Sequence, residues 1–273
     1  MSKNNNPLNL RLILVLGTAA LLLIVQVLGL FSTITTPIER IEYSMQDTFV
    51  RLRGAEKPSG EIVIVAIDDQ SFNWTGLQWP WPRSYFAEIV DQINKGGGKV
   101  VGMDLILFEP DEKQPENDLV LAKALGESPA AVAVMQINKT GGEGYATETL
   151  SQPLSAYRDV LDGIGTTDVK RDEDAIVRNV SAYSIYQGQV YPHWAFELAK
   201  LYLNAEEPIF GNSSVKFNGQ NIPLRSNELP IYFAGPAGTY PTYSASDVHD
   251  GITLEQNPDA FRGKIILIGA TTI

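Results

Sequence analysis

Cysteine is absent from this 273-residue chain. That excludes disulfides, thiolate metal centres and cysteine nucleophiles, and it leaves the redox compartment open. Histidine is scarce as well. His193 and His249 are the only two, so zinc-hydrolase and Ser/His chemistry have few residues to draw on. Basic residues are outnumbered by acidic ones, 21 against 32, for a formal net charge of -11. Such a surface repels phosphate backbones, and there is neither a basic patch nor a nucleic-acid motif, so no nucleic-acid partner is expected. Gly235, Pro236 and Gly238 can form a tight loop, but no Gly-Lys-Ser/Thr follows them and they do not make a P-loop. No cofactor is expected.

Charge is missing from one long stretch. Leu12 to Phe31, LILVLGTAALLLIVQVLGLF, has 20 residues without a charged side chain. At roughly 1.5 Å per residue this spans about 30 Å of hydrocarbon. The run is longer than a signal-peptide core, and no small-residue cleavage pattern follows it, so an uncleaved transmembrane helix is predicted at 12–31. Lys3 and Arg11 precede it, which keeps residues 1–11 cytoplasmic and puts the rest outside the cell or plasma membrane.

Residues 32–54 form the next section. Ile38, Ile41, Met45, Phe49 and Leu52 fall on one helical stripe, and Gly54 can stop the helix. A helix lying on the following domain is the simpler reading. A stalk pairing with a second copy, and hence a homodimer, is the sharper one. From residue 55 onward strands and helices alternate. IVIVAI (62–67), KVVGMDLILF (99–108) and AAVAVMQI (130–137) read as strands, and PRSYFAEIVDQINKGG (82–97) and ENDLVLAKALGE (116–127) as helices. The Val/Ile-rich strands lack polar alternation, as in strands buried on both faces. The predicted fold class is α/β, a mixed, largely parallel sheet with flanking helices, preceded by one N-terminal transmembrane helix. The second half is less regular. GGEGYATET reads as a loop, AIVRNVSAYSIY as one half-exposed strand with a turn after it, HWAFELAKLYL as a helix, SVKFNGQNIPL as a hairpin, and LPIYFAG and KIILIGA as strands. No linker divides residues 55–273. A strand so apolar at the end of the chain suggests a fragment of a longer protein.

In open α/β sheets ligands bind beyond the carboxyl ends of the strands. The first strand ends in Asp68-Asp69, with Ser71 close behind, and Asp104 interrupts the second apolar run. A carboxylate flanked by apolar residues must be paired, hydrogen-bonded or protonated. Arg83 is the natural partner for Asp68 and Asp104, because guanidinium offers a bidentate fork. In WPWPR, Pro80 and Pro82 stiffen the backbone that carries Trp79 and Trp81. The candidate cleft therefore comprises Asp68, Asp69, Ser71, Trp79, Trp81, Arg83 and Asp104, and a buried ion-pair network is the architectural alternative. No catalytic or metal-ligating residue is assigned. Phosphotransferase and receiver-domain patterns fail, because the acids are adjacent rather than one apart and Lys264 begins its strand instead of ending it. Near Asp172 and Asp174 an EF-hand would need further acids and a glycine, so a solvated turn reads better.

The stretches IVIVAIDDQS, WPWPRSYFAEIVDQI, KVVGMDLILF, DEDAIVRNV, IYFAGPAGTYPTYSASDV and FRGKIILIGAT occur in this order. Together, over residues 38–273, they resemble the second type of CHASE domain, a sensing domain associated with cyclases and histidine kinases. The resemblance implies an extracytoplasmic sensor at 55–273 in a bacterial receptor. That sensor would read an unknown extracellular or periplasmic ligand and signal to a cytoplasmic nucleotide cyclase or kinase absent from this chain. One departure concerns the family's acidic turn, usually D-x-D-G-x-x-R, where this chain has Ala175 in place of the glycine. Two other functions fit the residues alone: an extracytoplasmic metal-dependent hydrolase built on Asp68, Asp69 and Asp104, and a structural interaction module using the acidic face.

Overall fold

The computed structural model describes residues 7–29, 37–142, 145–172 and 174–271. The chain divides into two compact units, Met1–Ala55 and Glu56–Ile273. In the first, α1 spans Pro7–Gly29 and carries the apolar run. Leu12 to Leu16, Leu21, Leu23 and Ile24 are exposed. The hydroxyl of Thr18 donates back to Leu14 O and Val15 O, both at 2.9 Å, so this polar group is satisfied within the helix. Side chains in parts of α1, and the end of the expected span at Leu30 and Phe31, lie outside the described residues. Among those described, no helix is long and apolar enough to cross a membrane, so the span stays an expectation. The second helix, α2 (Pro37–Arg53), starts on a proline and stops at Gly54, whose φ of 75° is the left-handed turn that glycine tolerates. Its stripe residues Ile41, Met45, Phe49 and Leu52 are exposed.

The second unit is built on a seven-stranded sheet. In chain order its parts begin with β1 (Ile62–Ile67), α3 (Asp69–Thr75), α4 (Arg83–Lys95), β2 (Val100–Asp104), α5 (Glu116–Gly126), β3 (Ala131–Gly142) and β4 (Tyr145–Ser151). Next come α6 (Ser155–Arg158) and β5 (Gly163–Thr166). Then β6 (Val169–Lys170), β7 (Asn179–Ser181), β8 (Tyr183–Tyr186), β9 (Gln189–Pro192), α7 (Trp194–Leu203), β10 (Ile209–Phe210), β11 (Ser214–Phe217), β12 (Gln220–Pro223) and β13 (Glu228–Pro230) make the irregular middle. The chain closes with β14 (Thr242–Ser244), α8 (Ala245–His249), α9 (Ile252–Gln256) and β15 (Ile265–Ala270). The sheet order is β14-β1-β15-β2-β3-β4, with β5 also paired to β3. Every pair is parallel except the β3–β4 hairpin. The expected class, α/β with a largely parallel sheet and flanking helices, describes this unit.

Alternation decides which side chain meets which layer. Val63, Val65, Ile67, Val101, Met103, Ile266 and Ile268 point to one face, where they meet Phe86, Ile89, Val90 and Ile93 of α4 and Leu121 and Leu125 of α5. Each such side chain contributes about 1.5–3 kcal/mol by leaving water. Val100, Val132 and Ile265 face the other way, against Leu198 of α7 and the half-buried Trp194 and Leu201. Gly165 makes that contact possible, since a Cβ there would lie 2.4 Å from Trp194 Cα.

Several expectations are corrected. The second strand stops at Asp104 instead of running on to Phe108, because beyond it the backbone leaves the ladder, Ile106 O accepting from Arg83 Nη2 and Leu107 O from Leu154 N. The segment 175–186 is not one strand. Ala182 breaks it, accepting from His193 N and donating to Asn227 O, so β7 and β8 join different sheets. Of 229–235 only Leu229 and Pro230 are in a strand. The expected loop at 141–149 is largely the β3–β4 hairpin, and residues 143 and 144 lie outside the described part.

Candidate functional site

Asp68 is a helix cap. Its Oδ1 accepts from Ser71 N (2.8 Å), Ser71 Oγ (2.7 Å) and Ser244 Oγ (2.8 Å). Ser244 Oγ in turn lies 3.1 Å from Ser246 Oγ, and Ser246 N donates to Ser71 Oγ. One carboxylate oxygen thus joins the ends of β1 and β14 to the starts of α3 and α8. Asp69 sits in the first turn of α3 and is exposed.

The carboxyl ends of β2 and β15 open instead onto a cavity of about 430 Å3. Trp79, Pro80, Trp81 and Arg83 form one wall. Asp104, Gln136 and Ala270 form the floor along the strand ends, and the segment Ile106 to Lys113 completes the rim. Trp81 is fully buried, its ring 5.0 Å from Phe72 and stacked on Phe86 at 5.9 Å. Trp79, 6.0 Å from Trp81, keeps 45 % of its surface exposed. The inner indole is therefore packing, and the outer one is available for contact.

Arg83 begins α4 and is buried, as expected of a member of a buried ion-pair network. Its partners differ from those expected. Nη2 donates to Ile106 O at 2.9 Å, and Nε lies 3.9 Å from Asp118 Oδ1 without a hydrogen bond. Asp118 accepts from Tyr157 OH (2.5 Å) and Asp111 N (2.9 Å). Asp111 accepts from Arg83 N, Lys113 N, Gln114 N and Asn117 Nδ2, all within 2.7–3.0 Å. Burial pushes the Asp111 pKa up, but these four donors outweigh it and hold the carboxyl at about 2. Burial and the bond to Asp118 push the Tyr157 phenol far up. The network ties the rim to α4, α5 and α6.

Asp104 stands apart from it. The carboxyl makes no hydrogen bond or ion pair among the described residues; it is exposed, and partial desolvation by the cleft walls pushes its pKa upward. Solvent still reaches it through the mouth. Across the ladder Asp104 faces Gly269. A Cβ at Gly269 would lie 3.3 Å from Asp104 Cβ and 3.6 Å from Oδ2, so the glycine leaves the carboxylate its room.

Of the residues expected in the cleft, Trp79, Trp81, Arg83 and Asp104 line one cavity, whereas Asp68, Asp69 and Ser71 are not among its lining residues. The expected pairing of Arg83 with Asp68 or Asp104 does not form, because backbone Ile106 O and the α5 acid Asp118 lie closer to the guanidinium. The three acids of the hydrolase alternative do not converge. Among the described residues no group of three histidines or acids could hold a metal. Sequence reasoning missed Asp111, Asp118, Tyr157 and Gln136. Asp118 left a trace, since it falls on the buried face of α5 with Leu121, Ala122 and Leu125. A second depression, about 780 Å3, shares Gln136, but its Asp168 already accepts from Ser184 Oγ at 2.6 Å.

The acidic turn is a clamp. Arg178 Nη1 donates to Asp172 Oδ2 (2.8 Å) and Nη2 to Asp174 Oδ2 (2.7 Å), and Ala175 between them has a φ of 62°.

The sequence model of the CHASE2 domain matches residues 19–273. No curated protein and no solved structure matches the chain.

Proposed function

Because the chain belongs to the CHASE2 domain family, an extracellular sensory domain family of signalling receptors, we propose that Glu56–Ile273 is the ligand-sensing part of a membrane-anchored receptor and that the cleft at Asp104 is where it senses. The observation that carries this is the cavity at Asp104, where an exposed carboxylate without a partner among the described residues lines the same cavity as a half-exposed tryptophan. A carboxylate that makes no contact of its own in the fold and lines a cavity is free to meet a ligand. The anchor is the uncharged run 12–31, with Lys3 and Arg11 on the cytoplasmic side. Output passes to a cyclase or kinase outside this chain.

The test is the output of the complete receptor in its own cells. Trp79→Ala and Asp104→Asn should each change the response across growth conditions, while the exposed Lys139→Ala should not. Wild-type responses from both cleft variants, at wild-type abundance in the membrane, would remove the cleft from the sensory path.

A further inference from the structure

The buried charged groups around the cleft are already answered by protein. Arg83 is held by Ile106 O and lies beside Asp118, and a second buried acid, Asp111, offsets the local positive charge further. Asp111 is saturated by four donors. Asp104, Glu109, Glu112 and Lys113 are all exposed to solvent at the cleft. Asp104, Glu109, the side-chain amide of Gln136 and the outer face of Trp79 have no polar partner among the described residues.

Among the described residues, the charges that line the cleft without a protein partner are mostly acidic, Asp104, Glu109 and Glu112 against Lys113. An anion entering the cleft would meet these three acids, with one exposed lysine and an arginine whose charge is already offset. A cation would find a carboxylate acceptor and an aromatic face, and an ammonium gains from both. The volume, about 430 Å3, lies within the range of small-molecule pockets. Resting on the reading of this cleft as the sensory site, we infer that its ligand is a small organic ammonium ion whose N–H groups are accepted by Asp104 and whose charge lies against Trp79. Gly269 serves the same arrangement by leaving Asp104 free to turn toward the cavity.

Calorimetric titration of the detergent-solubilised full chain with butylamine, ethanolamine and butyrate tests this. The two amines should bind and butyrate should not. Asp104→Asn should weaken amine binding by about tenfold or more, the scale of one charge-assisted hydrogen bond. Trp79→Ala should weaken it by a smaller factor. The asparagine variant should fold, since Asp104 is exposed and holds no partner among the described residues, and a thermal melt verifies that. Absence of amine binding, binding of butyrate, or amine binding unchanged in Asp104→Asn overturns the ammonium inference. If any of these occurs while the cleft variants still alter receptor output, the ligand class is wrong and the sensory site stands. If output is also unaltered, both fall.

Discussion

At Ala175 a single methyl group sets up a conflict between backbone and side-chain chemistry. Its φ of 62° puts an L-residue in the left-handed region, which costs roughly 1–2 kcal/mol relative to glycine. The turn persists because Ala175 N donates to Asp172 O, Asp172 N to Ile176 O, and Arg178 clamps the two aspartates that precede Ala175. Arg178 is also the first cause of the lowered pKa of Asp174. Ala175→Gly should raise stability by about 1 kcal/mol, visible as a higher Tm, and a lower Tm would mean the turn carries no strain. Asp68 and Asp69, adjacent in sequence, should separate in the same assay. Asp68→Ala removes a cap with three donors and should cost about 1–3 kcal/mol. Asp69→Ala, at an exposed position, should stay within about 0.5 kcal/mol of wild type. Equal effects would contradict the capping geometry.

Elements were legible where they were long and periodic. The α4 stripe of Phe86, Ile89, Val90 and Ile93 is buried as its spacing requires, and Asn218-Gly219, both with positive φ, make the expected hairpin turn. Helices of four to seven residues such as α3 and α6 carry too few turns to show a period. The partner of Arg83 was out of reach for a different reason. A carboxylate partner for the arginine was legible from its guanidinium, but the choice between Asp104 and Asp118 depends on how α5 docks, which no local spacing records. That docking has two consequences. Arg83→Ala should destabilise by about 3 kcal/mol, because it strands Asp118 in the interior. An unshifted melting temperature would show the pair to be dispensable. Asp111 adds an acid limb. Its folded pKa, about 2, lies below the ordinary 3.8, so its contribution is complete above pH 3.8 and is lost as pH falls through 2. Asp111→Asn should be less stable at neutral pH and should flatten that part of the pH profile. A parallel acid limb in the variant would assign the loss to other carboxylates.

For the molecule as a whole, the alternation of strands and helices announced a parallel sheet, but it did not announce that the last strand, β15, would enter between β1 and β2. Insertion at that place puts Gly269 beside Asp104, so the cleft floor joins residues 165 positions apart in sequence. The anchor, by contrast, is contiguous in the chain. An uncharged run of 20 residues is costly to leave in water, and Lys3 and Arg11 are its only charged neighbours on the N-terminal side. Trypsin added outside intact spheroplasts should therefore reach Arg51 and Arg53, which are exposed at the end of α2. It should release the C-terminal unit while an epitope placed before Lys3 stays protected until the membrane is permeabilised. Protection of both ends, with a periplasmic control protein cut, would place the sensing unit on the cytoplasmic side. The cleft would then have to read an internal signal.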